Sequence, residues 1–343
     1  MKPGKEGIPE FGILKESQPA TPEAARRENL EQAVGSFEEF ARSFQPNINP
    51  ADFKNNLDYR IRAAELFAKK SDEEIKKSDG RRQSDTDVRL LYGIHSLITR
   101  DLITQNTIGG RSHLTNEQNL SQLRETIEFQ QNLTRFIIRN RTLPDLDAIM
   151  QRYWKAYENI SYRLTNDPGI ATSREYGIEH AVTASQILEE RGWRTHKPSV
   201  SDDMKKGTDG YATGITPDGK EILLATQFKT NNNPLAVVSI EILYPFPSVT
   251  EIDEDAWDLV ANVKEHRVKN PHIPLFPVLI RVPSSYQTQH IRKGTGLLAS
   301  PQSTDALLDE KNRKALEYAE MLADLKTDKP KYRKKAIYVP QAK

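Results

Sequence analysis

Cysteine is absent from all 343 residues. That excludes a disulfide framework, a cysteine nucleophile and any zinc or iron–sulfur site built on thiolates. Long apolar runs are missing as well: no segment approaches the roughly 18 consecutive apolar residues that a bilayer-spanning helix needs. The first residues, MKPGKEGIPEFGILKESQPA, carry charge without the apolar centre of a signal peptide. A soluble, cytoplasmic protein with no membrane partner is the expectation. Charge of one sign is not in excess either. Lys plus Arg number 49 and Asp plus Glu 48, so affinity for a polyanion must come from local clustering. No P-loop and no nucleophile elbow occur, which removes the common nucleotide-hydrolysing and serine-hydrolase signatures.

What is present is enough apolar material for sizeable cores, 36% of residues, in a chain long enough for two domains. Residues 1–20 lack periodicity and read as a flexible leader. Helical signals follow over 21–166. Thr21-Pro22 supplies an N-cap and a first-turn proline, with Leu30, Val34, Phe37, Ala41 and Phe44 as the stripe behind it. Asn49-Pro50 starts a second helix, and a third carries Leu90 to Leu102. Thr115 and Gln118 form a capping box before a fourth, and Pro144 opens a fifth bearing Tyr153, Trp154 and Tyr157, aromatics spaced for a core. Five amphipathic helices indicate a bundle.

At Asn166-Asp167-Pro168-Gly169 the pattern changes to an α/β alternation that runs to about residue 325, with later strands over Leu235–Leu243 and Leu275–Val282 and helices over Asp253–Asn270 and Asp305–Leu325. The last stretch, 326–343, holds seven basic side chains against one acid and reads as a solvated tail, with nucleic-acid contact as the second reading. The fold class expected is therefore α+β in two domains, a helical bundle at 21–166 and an α/β/α domain with a mixed central sheet at 170–325.

The chemistry concentrates in 175–231. A helix with Ile178, Ala181, Val182 and Leu188 on its apolar face carries Glu179 at the edge of that stripe, and Gly192 caps its end. After a variable loop, Gly207-Thr208-Asp209-Gly210 reads as the entry to a strand, Thr216-Pro217-Asp218-Gly219 as a turn, and Ile222–Lys229 as a buried strand. Side chains alternate along a strand, so Gln227 and Lys229 share a face, and the hairpin brings Asp209 alongside it. Two oxygen ligands, a lysine and a helical glutamate suit a hard cation such as Mg2+ or Mn2+ and the hydrolysis of a phosphodiester by a metal-bound water. Taken singly, each residue has a plainer explanation. Lys229 can end a strand, Asp209 can bond its own turn, and Glu179 can be a surface residue like Glu175 and Glu189.

The order of these elements, a helical Glu, a Gly-Trp at the helix end, an Asp-Gly strand start, a hairpin and a closing Gln-x-Lys, resembles the PD-(D/E)XK nuclease superfamily. It is closest to the Mrr-like, restriction-endonuclease-like members that carry Gln for the second acid. The resemblance implies an α/β/α core around a mixed four-stranded sheet over about 173–300. It also implies Asp209 as principal metal ligand, Gln227 in place of the acidic ligand, Lys229 as catalytic lysine and Glu179 as a helical acid assisting the metal. Thr208 stands where the motif has proline. DNA is the expected partner and phosphodiester hydrolysis the expected reaction. The alternative is a catalytically silent nuclease-fold scaffold that binds nucleic acid or protein, with a protein partner or self-association through the helical half. Arg281, Gln287, Gln289, His290, Arg292 and Lys293 are candidate phosphate contacts. His95 and His113 have no second ligand at metal spacing, and His266 and His272 flank a helix end, where an imidazolium suits the dipole.

Overall fold

The computed structural model describes residues 22–43, 69, 73, 76, 91, 116–165, 169–198, 207–215, 221–231, 236–244, 246–247, 256–272 and 274–325. The second helix and most of the third expected from the sequence, the turn at 166–168, the leader and the basic tail lie outside these residues. Three helices of the expected bundle are described: α1 (Pro22–Ser43), α2 (Asn116–Arg139) and α3 (Leu146–Thr165). The last begins two residues after Pro144, which sits in the turn before it.

These helices pack through the stripes that their 3.6-residue period sets. Leu30, Val34 and Phe37 of α1 are fully buried, and so are Leu133, Phe136 and Ile137 of α2. On α3, Ile149, Met150 and Tyr153 are buried in the same core. The Tyr153 ring stacks on Phe37 with centroids 5.1 Å apart, and Trp154 meets Tyr157 edge-on at 5.9 Å. The aromatics at helical spacing are therefore core, as expected. Outside it, Arg152 reaches from α3 to Glu38 of α1 at 2.6 Å and also pairs with Glu31. The bond from Arg152 holds the Glu38 carboxyl below its ordinary range.

Helix α4 (Gly169–Glu190) joins this stack to the sheet. Ala171, Ile178 and Val182 belong to the core of α1–α3, whereas Ala184, Ile187 and Leu188 belong to a second core built on the sheet. Gly192, at φ +86°, ends the helix in the left-handed conformation that only glycine adopts without cost. Trp193 follows and lies so close to Gly214 that a Cβ there would strike its ring.

The sheet is mixed and open, in the order β1-β2-β3-β5-β4. Strands β1 (Arg194–His196), β2 (Gly210–Ile215) and β3 (Glu221–Thr230) are antiparallel neighbours. β5 (Leu275–Val282) runs parallel to β3, and β4 (Ser239–Ile242) closes the far edge antiparallel to β5. The parallel step is made through α5 (Trp257–Lys269). Leu224 of β3 with Phe276, Val278 and Ile280 of β5 faces α4 and the helices after the sheet, α6 (Ser303–Leu307) and α7 (Glu310–Leu325). Ala225 and Leu275 face Leu259 and Val263 of α5. Helices thus cover both faces, and the chain is α+β with five strands among the described residues where four were expected.

Two expected elements differ in detail. Of the strand expected over 235–243, residue 235 lies outside the described residues, and among the others pairing covers only Ser239–Ile242. The single helix expected over 305–325 is broken at Leu308-Asp309, because the Asp309 carboxylate accepts the Asn312 N–H at 2.8 Å and caps a new helix there. Asn312 in turn accepts the Ile240 N–H at 2.8 Å, which fixes that helix to the edge strand.

Candidate functional site

Asp209 stands one residue before β2, whose first rung sets Gly210 opposite Thr226. Its position is therefore beside Gln227, and its own N–H donates to the Thr226 carbonyl at 2.9 Å. The Phe228 N–H points to the same edge, past the end of β2, and the Asp209 carboxylate accepts it at 2.6 Å. The side chain thus supplies the next rung where the backbone of β2 has none. Gln227 is 7% exposed, and its amide lies against Gly207 at the start of α5, where a Cβ on Gly207 would touch it. Its Oε1 is buried with no hydrogen-bond partner. Lys229 follows on the same face of β3, in register with Arg281 of β5.

The structure thus brings Asp209, Gln227 and Lys229 to one end of β2 and β3. It takes Glu179 elsewhere. Glu179 is 1% exposed and faces the loop after β5. One carboxylate oxygen accepts the Gly294 N–H at 2.5 Å and the other the Ser285 hydroxyl at 2.8 Å. Burial raises its pKa, and these donors with Lys293 oppose the rise. Gly296 of the same loop, at φ +70°, lies directly on the Glu179 backbone, leaving no room for a Cβ. The Thr183 hydroxyl donates to the Gly296 carbonyl at 2.6 Å. Among the described residues, no three His, Asp or Glu side chains stand close enough together to hold a metal ion.

Around Glu179 lies a set of titratable groups of which the sequence marks only Lys293, as a phosphate contact. Glu175, one helical turn earlier, has its pKa pushed up to about 7 by burial, by Glu179 and by Glu158, with Lys293 opposing. His180 is buried, its pKa lowered to about 4 by loss of solvent, and its Nε2 has no hydrogen-bond partner. Its ring stacks on Tyr176, which meets Tyr286 edge-on at 5.7 Å. Lys293 caps the Tyr286 ring at 4.4 Å, and its bond to the Tyr286 hydroxyl raises its pKa. The only other sequence signal for this cluster was the i, i+4 spacing of Glu175 and Glu179.

Two of the cations expected to line a nucleic-acid groove, Arg281 and Arg292, are tied inward. Arg281 pairs with Glu241 at 2.6 Å, and Arg292 pairs with Asp147 of α3 at 2.7 Å. Gln287 accepts the Ser284 N–H at 2.8 Å. The Arg292–Asp147 pair and the Trp154 N–H, donating to the Gly294 carbonyl at 2.7 Å, hold the 283–298 loop against the helical stack.

Two clefts open at the strand end that carries the candidate residues. One, of about 480 Å³, lies between α2, α4 and the first strands and has Asp209, Thr226 and Phe228 on its wall. The other, of about 630 Å³ and shallower, lies between α4 and the end of β3 and is lined by His180, Phe228 and Lys229. Gly177 and Phe228 border both. Glu179 lines neither. No helix among the described residues is long and apolar enough to cross a membrane. No protein-family model, curated protein or solved structure matches this chain.

Proposed function

We propose that the chain is a two-domain protein whose second part is a restriction-endonuclease-like domain that hydrolyses phosphodiester bonds in DNA with the help of Mg2+ or Mn2+. The observation that carries this reading is the β2–β3 register. It sets Asp209 beside Gln227, whose buried Oε1 has no partner, and Lys229 follows two residues on. A buried amide oxygen without a donor is costly to a fold, and a hard cation would satisfy it. A carboxylate and an amide oxygen form a donor set for Mg2+, which keeps several of its waters and takes few protein ligands. Bound there, the ion would supply an activated water and a counter-charge for the phosphate. The protein's own share is separate. Lys229 offers an ammonium to the phosphate or to the water, and Asp209, anchored by the Phe228 N–H, holds its carboxylate in one place. The mixed sheet covered by helices on both faces further supports the nuclease-like reading. Glu179 enters it as a positioning residue for the 283–298 loop.

The test is a cleavage assay on plasmid, linear and branched DNA and on RNA, with Mg2+, Mn2+ or EDTA. Metal-dependent cleavage of DNA is expected, reduced at least 100-fold in Asp209→Asn and in Lys229→Met. Cleavage that survives both substitutions would overturn the site.

A second reading is favoured by one observation: the carboxylates of both Asp209 and Glu179 are engaged in holding backbone N–H groups. On that reading the domain is a catalytically silent nuclease-fold scaffold that binds nucleic acid or protein. A folded chain that neither takes up Mn2+ nor cleaves any of these substrates would decide for it.

A further inference from the structure

The cleft between α2, α4 and the β-hairpin is built from two kinds of surface. Its interior is apolar, with Ile138, Ala181, Leu188 and Phe228 on the walls. Set into that interior are the hydroxyls of Ser185 and Thr226, and Thr226 is 1% exposed with an Oγ1 that has no hydrogen-bond partner. Its mouth carries Arg135 and Arg139 of α2 and Lys197 after β1. The acids there are already engaged: Glu189 pairs with Arg141 and accepts the Thr195 hydroxyl, and Asp209 accepts the Phe228 N–H. A cationic rim over an apolar interior with one unsatisfied hydroxyl matches a ligand that has one flat, weakly polar part and one anionic part.

Two glycines keep this space open. Gly210 has none to spare: a Cβ there would collide with the Thr226 hydroxyl and the Phe228 ring. Gly177 is the opposite case. It sits in the interior of α4, where glycine is a poor helix former, yet a Cβ there would meet nothing nearer than Gln130 Nε2 at 3.9 Å. Packing does not require glycine at 177, and any larger side chain would extend into the cleft.

We propose that this cleft binds a single unpaired nucleotide of a nucleic-acid strand, its base between Phe228 and α4 and its phosphate at Arg135 and Lys197. The volume of about 480 Å³ lies within the range of about 300–1,000 Å³ usual for small-molecule sites and does not admit a duplex. Stacking on an aromatic ring and a cationic track for the backbone are the two general means of holding unpaired strands. This inference rests on the reading of Asp209 and Lys229 as a phosphodiester-cleaving site, and it gives the helical part a task, since α2 forms one wall. The substrate class that follows is single-stranded or flapped nucleic acid.

The experiment is fluorescence anisotropy of the full chain with a labelled single-stranded oligonucleotide and with the matching duplex. It is run in EDTA so that binding is read apart from cleavage. The single strand is expected to bind more tightly than the duplex. Gly177→Leu, which fills the cleft, should weaken single-strand binding at least tenfold with the thermal midpoint maintained. Arg135→Glu, a surface change, should weaken it comparably and lower the slope of log K against log salt by about one. Equal affinity in Gly177→Leu and Arg135→Glu, a preference for duplex, or no binding by the unaltered chain would overturn the cleft. Tight single-strand binding without cleavage in any metal would instead overturn the hydrolytic reading and leave the cleft standing.

Discussion

The carboxylate of Asp209 accepts the backbone N–H of Phe228 at 2.6 Å, so the residue placed at the centre of the candidate site also completes the edge of β3. This double role separates two substitutions usually treated as equivalent. Asp209→Ala leaves the Phe228 N–H without its acceptor and should cost about 1–2 kcal/mol, the usual penalty for an orphaned backbone group. Asp209→Asn retains an oxygen acceptor and should cost under about 1 kcal/mol while removing the charge a cation needs. Urea unfolding of the two variants checks this. Equal losses would mean that the bond contributes nothing to the fold.

Gly296 is pressed against the backbone of Glu179 at a φ of +70°, and the loop that carries it is held by Glu179, Thr183, Asp147 and Trp154. Adding one methyl there imposes both a strained backbone and a collision with a helix that cannot retreat. Gly296→Ala should therefore destabilise the chain by about 2–4 kcal/mol. Thermal unfolding would show it, and a change of under about 0.5 kcal/mol would mean that the loop does not dock on α4 as described.

How much of this was legible in the sequence depended on where each signal is stored. The strand LFPVLIRV and the stripes of α1 and α3 are written in local periodicity, and burial follows it. The three-residue strand Arg194–His196 is short and polar and pairs only at the sheet edge, so nothing in its composition distinguishes it from loop. The order Asp209, Gln227, Lys229 could be read because a hairpin fixes register over short range. The burial of Glu179 could not, because it is imposed by a loop more than a hundred residues further along the chain. For the same reason Arg281 and Arg292 looked available to phosphates, since their partners, Glu241 and Asp147, are distant in sequence.

Gly177 offers a cheap measure of whether α4 keeps its glycine for the cleft. Gly177→Ala replaces the poorer helix former in a helix interior with space for the methyl, and it should stabilise the chain by about 0.5–1 kcal/mol. Denaturant unfolding gives the sign. A loss of stability would mean that the position is held by packing against α2.

Glu175 and His180 affect the fold in opposite pH directions. The Glu175 carboxyl, raised from its ordinary 4.5 to about 7, holds its proton in the folded chain at pH values where the unfolded chain has released it. Its contribution to stability is whole below about pH 4.5 and is lost as pH rises through 7. His180, lowered from 6.5 to about 4, resists protonation when folded, so its contribution is whole above pH 6.5 and is lost as pH falls toward 4. Glu175→Gln should thus raise the thermal midpoint at pH 8 and leave it unchanged at pH 4. His180→Phe, which keeps a ring on Tyr176 and removes the unpartnered Nε2, should flatten the decline on the acid side. Midpoints measured from pH 4 to 9 on both variants separate the two effects. If the Glu175→Gln profile ran parallel to that of the unaltered chain above pH 5, the carboxyl would be no more than a solvated surface group. The coupling between Glu175, Glu179 and Lys293 would then have no bearing on the fold.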